Sequence, residues 1–344
     1  MNTVYDNAVL ETKMTELLDS HLEVRSLMTV DDSLTEGVGM KKLINRYTYT
    51  GQVERLDQGA ANSKAAAGSI HFEPEEYEVC RYQQTFRYND MEAMRDPALV
   101  DMALKGAAEV MENQLRFDYF TQLRFIKHRH KISGDTLSYT DIVEALGDID
   151  REVEDGLFIL MGSDGRTAIR SDKDFIAARQ GEILYTGQFG TLCGIPVLFS
   201  RYVPKGQVII TEREAVKFFV KREATIEQSR DIETKDNTVV YERHGLVALV
   251  DDTSSTILGK GAPELEITKS VSGMTVTFTV PDKGAQTNTY RINYNADAPL
   301  LGENLLHWEP WSGAGIVPTA GAVSYTIAEV DAAGRCVKSG TVAL

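Results

Sequence analysis

The longest regular pattern of apolar positions lies between residues 96 and 131. One stripe recurs at helical spacing, namely Leu104, Ala108, Met111, Leu115, Tyr119, Leu123 and Ile126. Three further apolar residues widen this stripe: Val110, Phe117 and Phe120. Asp96 and Pro97 suit a helix start, and the basic run KHRHK suits a helix end, where cations complement the dipole. We therefore predict one helix of about 33 residues, roughly 50 Å long.

Two stretches before this helix have the composition of strands. RYTYTGQVERL (46–56) and EEYEVCRYQQTFRY (75–88) are rich in Tyr, Thr and Val, and a segment of mostly small residues separates them. The second stretch is predicted to have Cys80, Tyr82, Phe86 and Tyr88 on one face. A long hairpin of this kind is marginal alone and needs a partner surface. Its partner is either its own domain or another chain, and we favour another chain.

The remaining patterns mix helices and strands. Residues 10–28 predict a short amphipathic helix that packs on its own domain or on a neighbouring subunit. SYTDIVEALGDIDREVEDG predicts a helix, LFILMG a buried strand, SDGRT a turn and DKDFIAARQ a short helix. The first of these helices is expected to turn four residues inward: Ile142, Val143, Leu146 and Ile149. GTLCGIPVLFSRYVPKG (190–206) then predicts a core strand with Val197, Leu198 and Phe199 inside.

The pattern changes after Gly259. Residues 262–344 show clean alternation in MTVTFTV, TYRINY and AVSYTIAEV, with turn residues between these runs. Short alternating strands over this length predict a small β-sandwich. Because the preceding region combines a hairpin, a long helix and mixed elements, the fold class of the body is α+β.

Charge and cysteine content narrow the class of protein. The net charge is −15, which argues against a protein that binds nucleic acid through a basic face. The three cysteines lie far apart and are read as reduced thiols in a cytoplasmic setting. The N-terminal residues lack a secretory signal pattern, and no run approaches the ~20 apolar residues of a membrane helix. We therefore expect a soluble protein with no membrane partner.

Motifs that carry chemistry are absent from the sequence. There is no phosphate-binding loop, dinucleotide fingerprint, zinc-protease motif or nucleophile elbow. His128 and His130 are two residues apart and point in different directions on a helix, so they cannot easily share a metal. We expect no enzymatic activity, no cofactor and no metal. Trp308 and Trp311 in HWEPW are a candidate surface ligand patch, with a core tryptophan and a rim aromatic as the alternative.

At this point the order of elements resembles the Hong Kong 97-type fold of tailed-bacteriophage major capsid proteins. GTLCGIPVLFSRYVP is similar to the family's axial-domain strand, and IEQSRDIETKDNTVVYERHGLVALVDDTSSTI to its closing strands. LFILMGSDGRTAIR resembles the family's peripheral helix-to-strand passage. TFRYNDMEAMRDPALVDMALKGAAEVMENQLRFDYF resembles the branch typified by the phage N4 coat protein. The resemblance covers about three quarters of the chain.

The resemblance implies a domain layout. It assigns residues 1–45 to an N-terminal arm, 46–88 to an extended hairpin loop, and 89–260 to a spine helix with peripheral and axial domains. Residues 262–344 look like the immunoglobulin-like domains that some phage coat proteins carry on the outer surface. The implied axial-domain core strand contains Ile195, Pro196, Val197 and Phe199. The implied inter-subunit contacts of the hairpin loop involve Glu54, Arg55, Lys64, Phe72 and Glu75.

The resemblance also implies partners and a location. Copies of the chain would form pentamers and hexamers of an icosahedral shell around double-stranded DNA, which is packaged without sequence-specific binding. A separate scaffolding protein and a portal are expected, since only about 45 residues precede the hairpin. The protein would be made in the bacterial host cytoplasm and end in the virion capsid.

Two rival functions stay open at this point. The shell of a bacterial encapsulin-type nanocompartment shares the fold and encloses protein cargo. A glycan-binding surface protein would act through the C-terminal β-domain and its two tryptophans.

Overall fold

A computed structural model describes residues 26–36, 39–50, 69–96, 98–149, 155–172, 190–280, 285, 287–319 and 321–344. The predicted amphipathic helix 10–28 lies almost wholly outside these residues, and so does most of the predicted helix DKDFIAARQ.

The first 260 residues contain both strands and helices, and the described elements after them are all strands. The strands are β1 (Thr29–Asp31), β2 (Lys41–Thr50), β3 (Ser69–Glu78), β4 (Cys80–Asn89), β5 (Arg129–Lys131), β6 (Leu157–Met161), β7 (Thr191–Leu192), β8 (Ile195–Phe199), β9 (Gln207–Glu212), β10 (Val216–Arg230), β11 (Asp236–Leu249), β12 (Thr256–Gly259), β13 (Thr268–Ser272), β14 (Thr275–Thr279), β15 (Thr289–Tyr294), β16 (Glu309–Trp311), β17 (Ser324–Val330) and β18 (Cys336–Ala343). The helices are α1 (Asp90–Arg95), α2 (Leu99–Gln122), α3 (Tyr139–Ile149) and α4 (Ser163–Ser171), with a 3-10 turn at Leu123–Phe125. The mixed α+β class predicted for the body is confirmed.

The chain divides into two compact units. The first comprises the described residues within 1–41 and 78–259, and the second those within 42–77 and 260–344. The first unit contains two sheets, whose strand orders are β1-β10-β11-β4 and β5-β12-β9-β6-β8-β7. The second contains the two-stranded ribbon β2-β3, the pair β13-β14 and the sheet β16-β15-β17-β18.

The four-stranded sheet is built around two long antiparallel strands. β10 has 15 residues and β11 has 14, and their register shifts twice between Val220 and Thr225. Such bulges bend a strand and increase its local twist. Helix α2 packs on β11 and β4. The predicted apolar stripe of α2 is confirmed, because every residue from Leu104 to Ile126 assigned to it is buried.

The helix itself is shorter than predicted. Leu99–Gln122 gives 24 residues, followed by the 3-10 turn, and the basic run KHRHK passes into strand β5. The backbone groups of β5 pair with the parallel strand β12, so their hydrogen bonds are made in a sheet and not in a further helical turn. Asp96 accepts from the Ala98 N–H through Oδ1 at 2.9 Å. The N-cap is Ala98, which has no side-chain cap, so the predicted cap at Asp96 is two residues too early.

A short helix that the sequence pattern missed precedes α2. In α1, Asn89 and Glu92 form a reciprocal capping box. Asp90 accepts from Nδ2 of Asn237 at 2.6 Å and forms an ion pair with Arg230. These two contacts connect α1 to the ends of β10 and β11 next to their turn. The hydrogen bond from Asn237 is the main cause that lowers the pKa of Asp90 below its usual value.

The six-stranded sheet carries a separate core. All five residues of β6 are buried, which confirms the predicted strand LFILMG. Helix α3 covers this core with Ile142 and Ala145, whereas Val143 is exposed, so its predicted inward direction is wrong. The predicted turn SDGRT is also wrong, because Ser163–Ser171 forms helix α4. Gly165 permits this helix, since its missing side chain leaves room 3.3 Å from a Val208 methyl group.

The C-terminal strands form two sheets that share one core. β14 contributes Val276 and Phe278, and the sheet around β17 contributes Tyr325 and Ile327. An isolated bridge joins Val276 to Ile316, which extends the smaller sheet. Inward residues therefore alternate with outward ones, as the sequence predicted for MTVTFTV.

Candidate functional site

The β2-β3 ribbon carries the first group of predicted contact residues. Its two strands are joined by an ion pair between Arg46 and Glu75, whose N and O atoms lie 2.5 Å apart. At its base, Lys41 lies 3.2 Å from Glu78. Glu75 therefore pairs within its own hairpin, and its contact with another chain stays a prediction. The ribbon pairs Lys41–Thr50 with Ser69–Glu78, so the predicted second strand, 75–88, divides between β3 and β4.

One face of this ribbon is apolar and exposed. Leu43, Ile70 and Phe72 are 58%, 59% and 56% exposed. Ile70 and Phe72 are two residues apart, and side chains at that spacing point to the same face of a strand. Ile44, which points the other way, is buried. A two-stranded ribbon with an uncovered apolar face is marginal in water, so this face needs a partner surface. Glu54, Arg55 and Lys64 lie outside the described residues.

The predicted axial-domain strand is half core and half surface. Ile195 and Val197 of β8 are buried in the cluster shared with β6 and α3. Pro196 is exposed and Phe199 is 44% exposed, so assigning both to the core was wrong. Alternation explains Pro196, which lies on the opposite face of β8 from Ile195 and Val197. Phe199 shares the face of Ile195 and Val197, but it is the last residue of the strand and is exposed. The guanidinium of Arg166 lies over the Phe199 ring, 5.2 Å from its centroid.

The outer side of α2 carries a second apolar surface. Met102, Val110 and Phe117 are exposed. Val110 and Phe117 were expected to widen the buried stripe, and this was wrong. Their spacing puts them on the side of the helix opposite Leu104 and Met111, which pack inward.

The tryptophans do not form a surface patch. Trp308 is 3% exposed and Trp311 is 7% exposed. Nε1 of Trp311 donates to the Ala314 carbonyl at 2.9 Å, and its ring makes edge contacts with Phe278 and Tyr290. Both rings are therefore core residues of the C-terminal strands, and the prediction of a ligand platform is wrong.

An open groove of about 960 Å³ lies beside α4 in the first unit. Its rim carboxylates are occupied by the backbone: Asp164 accepts from the Gly206 N–H at 2.6 Å, and Asp172 from the Tyr139 N–H at 2.6 Å. These two carboxylates therefore hold neighbouring backbone segments in place. Within the described ranges, no group of three or more His, Cys, Asp or Glu side chains could hold a metal ion. No helix in that part of the chain is long and apolar enough to cross a membrane.

The buried carboxylate of Asp141 serves the fold. It accepts from the N–H and hydroxyl of Ser133 at 2.9 and 2.8 Å, and from those of Ser138 at 2.8 and 2.7 Å. Burial alone would raise the pKa of Asp141, but these hydrogen bonds outweigh it and lower the pKa below its usual value. A fully satisfied carboxylate of this kind anchors the start of α3 and is not a catalytic base.

Comparison with known proteins identifies the fold. No protein-family model matches the chain. A curated relative, the major capsid protein of Staphylococcus phage phiMR11, is 21% identical over 266 residues, covering 75% of this chain and 94% of that protein. The capsid structure of Ralstonia phage GP4 has a TM-score of 0.52 at 11% identity, covering 69% of this chain and 88% of that chain.

An encapsulin structure is similar to nearly the same degree. The holo-SrpI encapsulin complex of Synechococcus elongatus PCC 7942 has a TM-score of 0.50 at 14% identity, covering 75% of this chain and 91% of that chain. The chain therefore has a mixed α+β fold similar to the folds of phage capsid and encapsulin structures.

Proposed function

We propose that this chain is the major capsid protein of a tailed phage and self-assembles into the icosahedral shell around its double-stranded DNA. The observation that carries the proposal is the exposed apolar face of the ribbon, formed by Leu43, Ile70 and Phe72, on a chain with a shell-protein fold. Another copy of the chain that covers this face would remove its apolar side chains from water. The name of the phiMR11 relative favours a phage coat.

The proposed architecture is of the Hong Kong 97 type, in the branch of the phage N4 coat protein. Residues 1–45 act as the arm, 46–88 as the extended loop, and 89–260 as spine helix with peripheral and axial domains. Helix α2 is the spine, and β8 belongs to the axial domain, where Ile195 and Val197 are core residues. The role is structural and not catalytic. A separate scaffolding protein and a portal complete the assembly, which takes place in the bacterial host cytoplasm.

The proposed immunoglobulin-like character of residues 262–344 is supported by a local motif. Tyr325, near the start of β17, accepts from the Thr319 N–H through its hydroxyl at 2.8 Å. A tyrosine whose hydroxyl bonds to the backbone a few residues upstream is a hallmark of immunoglobulin-like sandwiches. An isolated parallel bridge joins Glu264 to Ser339 of β18. The domain would lie on the outer surface of the shell.

The second candidate function is an encapsulin-type nanocompartment, favoured by the similarity to the SrpI structure. Electron microscopy of the purified full-length protein tests the shell function, because closed polyhedra should be visible. Their absence both from the purified protein, over a wide range of protein and salt concentrations, and from infected cells, where a scaffolding protein is present, would overturn it. Particles purified from infected cells should contain nuclease-resistant DNA. Particles that hold protein cargo and no DNA would favour the nanocompartment.

A further inference from the structure

Three basic side chains lie next to one another across the four-stranded sheet. Arg222 of β10 is directly opposite His244 of β11, and His244 is directly opposite Arg81 of β4. Directly opposed residues of antiparallel strands point to the same face of a sheet. The three form one row, which we call the basic rung. Arg222 lies between the two register shifts of β10, and this irregularity sets its position in the row.

Among the described residues, the basic rung is only partly neutralised. Glu242, on the same face, lies 3.6 Å from Arg222 and 4.0 Å from Arg81. One carboxylate therefore serves two guanidinium groups, at distances longer than those of strong charge-assisted hydrogen bonds, about 2.7–2.9 Å. The two arginine side chains keep 57% and 61% of their surface exposed. The two guanidinium groups therefore carry one positive charge more than Glu242 neutralises, and a further anionic group would pair with it.

His244, in the middle of the basic rung, has a ring nitrogen without a partner. Its Nδ1 is buried and has no hydrogen-bond partner among the described residues. The nearby carboxylate of Glu223 is engaged with Arg243 at 3.5 Å. The Arg243 guanidinium in turn lies over the Phe218 ring, 4.8 Å from its centroid. Glu242 is therefore the carboxylate that the described sheet provides to the rung.

We propose that the basic rung binds an acidic side chain of a neighbouring copy of this chain, an inference that rests on the proposed shell function. Charge complementarity favours a second copy as the partner, since the chain has 51 acidic residues against 36 lysines and arginines. The rung spans only three strands, about 10 Å, which matches one carboxylate. DNA binding depends on many phosphate contacts along a basic surface, and a chain of net charge −15 does not favour it.

Assembly of the full-length protein tests this inference. Arg81→Gln, Arg222→Gln and the double variant should raise the lowest protein concentration that gives particles, by about tenfold for the double variant. Many weak contacts act together in a shell, so a small loss in each contact is amplified. Added salt should weaken assembly of the wild type more than that of the double variant. Arg87→Gln, on the same strand and also exposed, should assemble like the wild type.

The outcomes separate this inference from the shell function. Wild-type protein that forms no particles, even in cells that also contain its scaffolding protein, overturns the shell function itself. Wild-type shells alongside an unaffected double variant overturn the rung while leaving the shell intact. Normal assembly of the double variant with reduced DNA content assigns the rung to phosphate and also overturns it. Should the double variant unfold, Glu242→Gln decides, because removing the internal carboxylate should promote assembly, and unchanged or weaker assembly overturns the proposal.

Discussion

Gly245 of β11 lies against the ring of Phe218 on the neighbouring strand β10. A Cβ atom at position 245 would be 2.6 Å from Cζ of Phe218 and 2.8 Å from the Phe219 carbonyl oxygen. Carbon atoms do not approach so closely without displacement, so the absence of a side chain at 245 permits this packing. The contact is part of the long β10-β11 pair on which helix α2 packs.

Gly245→Ala should therefore destabilise the first unit. We expect the free energy of unfolding to fall by about 1–3 kcal/mol, the usual cost of overpacking, as measured by urea denaturation of unassembled protein. Gly147→Ala is the matched control, because position 147 is an exposed helical site with nothing near its Cβ. That change should stabilise by about 0.5–1 kcal/mol. Equal stabilities of the two variants would show that the ring can move aside.

Asp141 should make stability depend on pH. Its folded-state pKa is lower than its unfolded value, so the ionised carboxylate stabilises the fold above the unfolded pKa, and this contribution is lost as pH falls through the folded pKa. Asp141→Ala should cost about 2–3 kcal/mol at pH 7 and show a weaker loss of stability between neutral and acid pH than the wild type. Glu227→Gln, at an exposed position, is the control. A pH profile of Asp141→Ala identical to that of the wild type would contradict the assignment.

Phe72 should matter for assembly and not for folding. Its exposure in the ribbon means that Phe72→Ser removes little buried surface from the isolated chain. We expect an unchanged melting temperature and a loss of particles in light scattering. Val323→Ser, at an even more exposed apolar site in the C-terminal region, should leave assembly unchanged. Full assembly of Phe72→Ser would show that the ribbon face is not an interface.

Tyr325 should stabilise the C-terminal strands through its hydroxyl. Tyr325→Phe leaves the Thr319 N–H without its 2.8 Å partner and should cost about 1–2 kcal/mol. Thr319→Val keeps that N–H and loses only the weaker contact from the Tyr325 hydroxyl to Oγ1 of Thr319 at 3.2 Å, so its effect should be smaller. Thermal unfolding of the full chain measures both. A larger effect of Thr319→Val would contradict the proposed motif.

Several sequence predictions failed for one physical reason. Val143, Phe117 and Phe199 are apolar but exposed. Local periodicity shows that an element is amphipathic, but it does not show how much of the apolar face the neighbouring elements cover. The candidate surface patch of Trp308 and Trp311 failed in the opposite direction, because both rings are buried. Trp311 lies in the core shared by two sheets, and Trp308 lies in a second cluster with Ala328, Val330 and Cys336. Alternation in the sequence predicted the sheets but not which aromatic side chains lie between them.

The basic rung was invisible to sequence reasoning. Arg81, Arg222 and His244 are far apart along the chain, and none belongs to a recognisable motif. Their row depends on the register of three strands and on the irregularity of β10. Register is set by long-range pairing, which a local pattern does not specify.

The sequence by itself determined the α+β class, the buried stripe of α2, the buried strand β6 and the all-strand C-terminal region. These features follow from the period of apolar residues, which each segment carries locally. Only the tertiary structure decided where α2 ends, which apolar side chains stay exposed, and which charges meet across the sheet. These depend on contacts between residues distant in sequence, where packing and strand pairing override local preference.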